Sequence, residues 1–201
     1  MGHAGMAAAA VRYLRSVETA PARGPVEALP RPELRCVGED ERAPVGQAEF
    51  RRVLGNFATG VAVVTAPPEG GTGSPAGFAC QSFSSLSLDP PLVAFMVGRT
   101  STTWPRIARA GVFCVNVLSA GQGELCRGFA VSGADKFAGV AYDAAPASGS
   151  PRLAGTLAWI DCTIHAVHTG GDHLIVVGRV AALGASDGDE APLLFHKGRF
   201  L

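Results

Sequence analysis

Leu157-Ala158-Trp159-Ile160-Asp161-Cys162-Thr163-Ile164-His165-Ala166-Val167-His168 puts Leu157, Trp159, Asp161, Thr163, His165 and Val167 on one face and Ile160, Cys162 and Ile164 on the other. A repeat of two is the signature of an extended strand. Gly170-Gly171-Asp172 follows as a hairpin turn, and Leu174 to Leu183 reads as the returning strand. Working outward, β-branched Val61 to Thr65 reads as a buried strand, Ala76 to Cys80 as its partner, and Leu92 to Val97 and Val112 to Leu118 as two more. About six strands with hairpin connections predict an antiparallel, β-dominated barrel rather than a βαβ repeat.

Three short helices interrupt the strands. Phe50, Val53, Leu54 and Phe57 fall at helical spacing, with Gly60 as the expected stop. A second helix spans about Trp104 to Ala110, capped by a hydroxyl at Ser101 or Thr102 and ended by Gly111. Ser119 with Gln122 forms a capping-box pattern for a third, running to about Phe129. Pro90 and Pro91 are expected to interrupt structure ahead of Leu92. Residues 1–45 carry Pro21, Pro25, Pro30, Pro32 and Pro44 and little apolar periodicity, so they read as a flexible extension outside a domain at 46–201.

Composition excludes more than it names. The 201 residues hold 17 basic and 17 acidic side chains. That balance argues against nucleic acid and acidic membranes as partners, because both attract a surplus of Lys and Arg. It also removes a barrier to self-association. Five cysteines, an odd number without C-x-x-C spacing, argue against disulfides and structural zinc and fit a reducing cytoplasm. No apolar run approaches membrane-spanning length, and Arg12 and Arg15 break the N-terminal Ala run before a signal core forms. The chain reads as soluble and cytoplasmic.

Three places could carry chemistry. Gln81 to Ser87 crowds Ser82, Ser84, Ser85 and Ser87 behind Ala79 and Cys80. Small residues and hydroxyls can receive a phosphate or ring carbonyl, although such stretches also serve as plain turns. Arg99-Thr100-Ser101-Thr102 opens a helix and is either an anion site or an N-cap beside a solvated Arg. His173 stands at the hairpin mouth, as a ligand contact or as a turn residue. His165 and His168 fall on opposite strand faces, so no metal site is expected. A nucleophile elbow, a defensible Cys–His pair, paired carboxylates and G-x-G-x-x-G are all missing, which points to chemistry borrowed from a cofactor.

The string Gly77-Phe78-Ala79-Cys80-Gln81-Ser82-Phe83-Ser84-Ser85-Leu86-Ser87-Leu88-Asp89-Pro90-Pro91-Leu92-Val93 resembles the signature of the flavin reductase-like family. Phe57-Ala58-Thr59-Gly60-Val61, Thr100-Ser101, Phe113 to Leu118, Gly171-Asp172-His173, Gly178-Arg179-Val180 and Pro192 to Phe200 agree in order and spacing. The resemblance covers about residues 46–201. It implies a six-stranded antiparallel split β-barrel of Greek-key type that binds flavin as a homodimer. It further implies reduction of FAD or FMN by NADH, with NADPH the lesser alternative, and release of reduced flavin to a separate monooxygenase. By position, Ala79, Cys80, Gln81 and Ser82 would line the isoalloxazine ring. Ser84 and Ser85, with Arg99, Thr100 and Ser101, would hold the ribityl chain and phosphates. Trp104 would flank the nucleotide, and His173 would face the nicotinamide. Two rival readings remain: a flavin-retaining oxidase of the same fold, and a non-catalytic flavin- or haem-binding protein.

Overall fold

The computed structural model describes residues 45–201 except Ala134. The expected extension, and Cys36 within it, lie outside these residues. In chain order the elements are α1 (Gln47–Leu54), β1 (Thr59–Gly60), β2 (Ala62–Ala66), β3 (Ala76–Cys80), β4 (Ser84–Leu88), β5 (Pro91–Gly98), α2 (Trp104–Ala110) and β6 (Val112–Val117). Then follow α3 (Gly123–Ala130), β7 (Tyr142–Ala144), β8 (Pro151–Leu153), β9 (Ala158–Gly170), β10 (His173–Ala185), β11 (Leu194–His196) and β12 (Arg199–Phe200).

Seven strands form one antiparallel sheet in the order β3-β2-β6-β9-β10-β5-β4, and two smaller sheets, β1-β11-β12 and β7-β8, flank it. The chain is mainly β and antiparallel, as expected, but the six-stranded split barrel is corrected to a seven-stranded sheet not closed into a barrel. The extra strand is β4, inside the Ser-rich segment read as a turn. Its register shifts between Ser85 and Ser87, and four of its five residues are exposed. Ser85-Leu86-Ser87-Leu88 alternates too briefly to stand out as a strand, and Leu86 and Leu88 stay exposed at the sheet edge. Pro91, expected to block structure, opens β5 instead, with its missing N–H at the strand start. The two sheet edges, β3 and β4, are joined by residues 81–83, and no backbone ladder closes the gap. Ser82, within that connection, is tied to β5 by its side chain: its Oγ accepts the Met96 N–H at 2.9 Å and donates to the Met96 carbonyl at 3.0 Å.

The β9–β10 hairpin is the longest pairing, from His173–Gly170 to Ala185–Ala158, with two register shifts that bend it. Its middle is buried on both faces. Cys162 joins a core of Val64, Phe95, Phe113, Val115 and Val176, into which α2 delivers Trp104 and Ile107. Asp161, on the other face, is also fully buried, and its Oδ2 accepts the amides of Ala147 (2.8 Å) and Ser148 (3.1 Å). β2 is likewise two-sided. Val64 faces the first core, while Val61 and Val63 flanking it meet Leu118, Phe129, Leu153 and Leu193 beneath α3.

The helix ends test the local chemistry. Gly111 stops α2 at φ 71, a left-handed cap that glycine takes without strain. The Ser119–Gln122 capping box forms, seating a turn of 3-10 helix before α3. The expected N-cap at residue 101 or 102 is corrected: the cap position of α2 is Thr103, whose side chain makes no capping bond, while Ser101 Oγ accepts the Trp104 N–H at 3.2 Å. The expected stop at Gly60 is corrected: α1 ends at Gly55, and Gly60 lies in β1.

Candidate functional site

Two clefts open beside the gap in the sheet, and they share a wall made by Gln81, Ser82, Met96 and Phe195. The smaller, about 540 Å³, is lined by the end of β3 (Ala79, Cys80), by Gly98 and Ser101, and by His173. The larger, about 1510 Å³, lies under α1 and runs from Ser84 to Lys197.

Pairing geometry brings the smaller cleft together. His173 stands opposite Gly98 in the β10–β5 ladder, and the Arg99 N–H donates to the Asp172 carbonyl at 3.0 Å. The hairpin turn and the start of the α2 segment are thereby one structure, although 74 positions separate residues 99 and 173. Asp172 Oδ1 lies 2.8 Å from His173 Nδ1. That contact holds the Asp172 carboxyl below the usual range, with the Arg51 guanidinium adding a smaller pull. With Nδ1 so engaged, Nε2 is the free ring nitrogen. It lies 3.9 Å from where a Cβ on Gly98 would stand.

The sequence-derived candidates divide into three groups. Ala79, Cys80, Gln81, Ser82, Ser101 and His173 converge on the smaller cleft, and Gln81, Ser82 and Ser84 line the larger. The Ser84 hydroxyl donates to the Ser85 carbonyl at 2.8 Å, so it enters the cleft already engaged. Ser85, Arg99 and Thr100 are exposed and line neither cleft. Trp104, expected to flank a nucleotide, is 8% exposed, and its ring stands edge-on to Phe95 at 6.2 Å in the core. Burial pushes the Cys80 thiol up, so at neutral pH it is an uncharged wall rather than a thiolate. The described residues hold no group of three or more His, Cys, Asp or Glu able to ligate a metal.

Several lining residues escaped the sequence reading. Met96 sits mid-strand, and its role follows only from the sheet's curl. Phe195 and Lys197 belong to the C-terminal hairpin, whose residues the motif comparison had aligned without assigning a task. Three cations (Arg51, Arg52 and Lys197) and no carboxylate line the larger cleft. Apolar walls, hydroxyls and cationic side chains, of which Arg52 is paired with Glu49, fit a flavin nucleotide.

The family described as flavin reductase like domain matches residues 54–201. The chain belongs to the flavin reductase-like family. A relative, the flavin-dependent monooxygenase reductase subunit HsaB of Rhodococcus jostii, is 49% identical over 151 residues, 75% of each chain. Among solved structures, a nitrilotriacetate monooxygenase component B homologue from Mycobacterium thermoresistibile is 47% identical with TM-score 0.73, covering 77% of this chain and 85% of that one. Streptomyces globisporus NADH:FAD oxidoreductase SgcE6, solved with NAD and FAD fragments, is 38% identical with TM-score 0.71, covering 77% and 91%. As a flavin reductase-like protein, the chain places residues 78–84 of the 77–93 segment around the two clefts, with Gln81 and Ser82 at their shared wall.

Proposed function

We propose that this flavin reductase-like protein oxidises NADH, reduces FAD or FMN, and releases the reduced flavin to a separate monooxygenase. The observation that carries the reading is the shared wall: two clefts meeting at Gln81, Ser82 and Met96 allow two flat rings to meet face to face. The flavin, when bound, supplies the ring that accepts a hydride from the dihydronicotinamide. Everything else asked of the protein is positioning, because direct transfer between stacked rings needs proximity more than acid–base groups.

The chain's residues divide that work. Gln81 and Ser82 present backbone and hydroxyl groups to the flavin edge, with Ala79 and Cys80 as a close uncharged surface. His173, steadied by Asp172, orients the nicotinamide through Nε2. Ser101 borders the nicotinamide side of the smaller cleft. No Arg cluster marks a 2′-phosphate site there, which favours NADH over NADPH.

A second copy of the chain covers α1. All eight residues of this helix are exposed, and Phe50, Val53 and Leu54 each keep half or more of their surface open within the described residues. So short a helix is marginal without tertiary packing, and a partner subunit provides it. No helix among the described residues is long and apolar enough to cross a membrane. The free thiols Cys80, Cys114, Cys126 and Cys162 suit a reducing cytoplasm.

The release step is tested by mixing protein, FAD and NADH without oxygen and then ultrafiltering. Reduced flavin in the filtrate supports a diffusible product. Reduced flavin held back with the protein supports a flavin-retaining oxidase instead.

A further inference from the structure

Lysine is scarce in this chain: of 17 basic side chains, two are lysines, Lys136 and Lys197. Lys136 lies in the loop after α3 and lines neither cleft. Its ammonium donates to two main-chain carbonyls, Gly77 in β3 and Phe129 in α3, both at 3.1 Å. It enters no ion pair among the described residues. Burial pushes it below the usual lysine range, and the Arg106 guanidinium adds to that. A half-buried cation without a carboxylate is kept against its desolvation, and the two carbonyl bonds are what offset it.

Both carbonyls sit where the backbone is short of donors. Phe129 is next to last in α3, among the carbonyls a helix leaves unpaired at its C-terminus. Val131 follows in extended conformation, φ -82 and ψ 155, so no left-handed cap serves that end. β3 is an edge strand with β2 as its one ladder neighbour. Its entry is held in the same manner, by Arg106 Nη2 of α2 donating to the Ser74 and Pro75 carbonyls. The two elements also touch: a Cβ on Gly77 would stand 2.7 Å from Cε1 of Phe129, whose ring is edge-on to Phe137 at 5.1 Å. Ring contact alone sets a distance and leaves sliding open. The lysine fixes the register of helix against strand. An ammonium has three tetrahedral donors and reaches carbonyls on two separate elements, whereas the planar fork of an arginine matches a single planar acceptor.

Each bonded carbonyl lies one residue from the smaller cleft. Gly77 precedes Phe78, Ala79 and Cys80, and Phe129 precedes Ala130; all four of these line that cleft, with Cys126 one helical turn back from Ala130. None of the five lines the larger cleft. We propose that Lys136 is a positioning residue for the smaller cleft, tying α3 to β3 and so setting the spacing of two of the walls that receive the nicotinamide. This rests on the flavin-reductase reading, which gives that cleft to NADH, and adds the element that sets its width. Lys136 touches neither nucleotide and acts through Gly77 and Phe129.

The test compares Lys136→Met, which keeps the stem and loses the ammonium, with Lys136→Arg, which keeps the charge. Steady-state kinetics at saturating flavin give kcat and the KM for NADH, and fluorescence titration gives the flavin dissociation constant. Lys136→Met should raise the KM for NADH roughly threefold to tenfold, the worth of one or two hydrogen bonds. Flavin affinity and kcat at saturating NADH should hold within about a factor of two, the pattern of lost ground-state positioning. Lys136→Arg should recover part of the loss, since a guanidinium still donates to a carbonyl. A role confined to stability would lower the denaturation midpoint and leave the KM for NADH unmoved, and that result overturns the inference. An equal loss of flavin affinity, or a lowered kcat with the KM for NADH unchanged, overturns it as well. If Lys136→Met does not fold, the arginine variant decides alone: a raised KM for NADH with flavin affinity unchanged supports the inference, and an unchanged KM overturns it. Failure of the unaltered protein to oxidise NADH with any flavin would instead remove the reductase reading, and the inference with it.

Discussion

The hydroxyl of Ser82 is bonded to both ends of one residue's backbone, accepting from the Met96 amide and donating to the Met96 carbonyl. β4 stops pairing with β5 at Ser84–Ala94, short of Met96. Ser82 therefore substitutes a side chain for the missing ladder and fixes the wall that both clefts share. Replacing it with Ala removes both bonds and should destabilise the domain by about 1–3 kcal/mol. The same change should weaken flavin binding, because the wall loses its anchor. Denaturant midpoints and flavin titration check the two effects together; unchanged values of both would show the bond pair to be incidental.

His173→Ala should raise the KM for NADH while leaving flavin affinity near its original value, since His173 lines only the smaller cleft. Asp172→Asn should do the same in milder form by loosening Nδ1. Steady-state kinetics with NADH and flavin varied in turn separate the cases. A rise in the flavin KM alone would place His173 on the wrong nucleotide.

Gly178 packs under Phe113 so closely that an added Cβ would stand 2.3 Å from Cζ and 3.2 Å from the Cys162 Cβ. Phe113 is fully buried and its ring is held edge-on to Phe95 at 5.2 Å, so it has nowhere to move. Gly178→Ala should cost about 1–3 kcal/mol by overpacking, read as a shift in the denaturant midpoint. An unshifted midpoint would mean that the core yields more than its packing shows.

The buried thiols set an alkaline limit. Burial, with the Asp161 carboxylate adding to it, pushes the thiols of Cys114 and Cys162 up to about 12. In the unfolded chain they ionise near about 8.5. Below that value both states carry the proton and stability is full. As pH rises from there through about 12, only the unfolded state ionises and stability falls. Denaturation midpoints across this range should decline, and native Cys114 and Cys162 should resist alkylation at pH 8. Rapid alkylation of either would contradict their burial.

Val53 lies on the exposed face of α1 but outside both clefts. Val53→Glu should convert a dimer to monomers in sedimentation without abolishing flavin binding. A monomeric unaltered protein would remove the second copy from the account.

Where burial alternates, the sequence told its own structure. The 157–168 repeat and the Gly170-Gly171-Asp172 turn predict the β9–β10 hairpin, and Gly111 and the Ser119–Gln122 box mark helix ends correctly. β4 was hidden because Ser85-Leu86-Ser87-Leu88 offers only two rounds of alternation behind a Ser-rich run and ahead of two prolines, and its burial does not follow that alternation. Trp104 has the composition of a ligand contact and the environment of a core residue, a difference only packing against Phe95 reveals. Residues 79–82 and His173, expected as site residues from the motif resemblance, line the smaller cleft. Met96, Phe195 and Lys197 carried no such expectation, because they reach the clefts through sheet curvature and a docked hairpin, and local spacing records neither.

The central claim is that the two clefts bring NADH and a flavin together. NADH oxidation, followed in the presence of FAD, FMN and riboflavin in turn, tests it most directly. The account predicts little oxidation without flavin and strong stimulation by FAD or FMN, with His173→Ala impaired chiefly toward NADH. An absence of stimulation by all three flavins would contradict it.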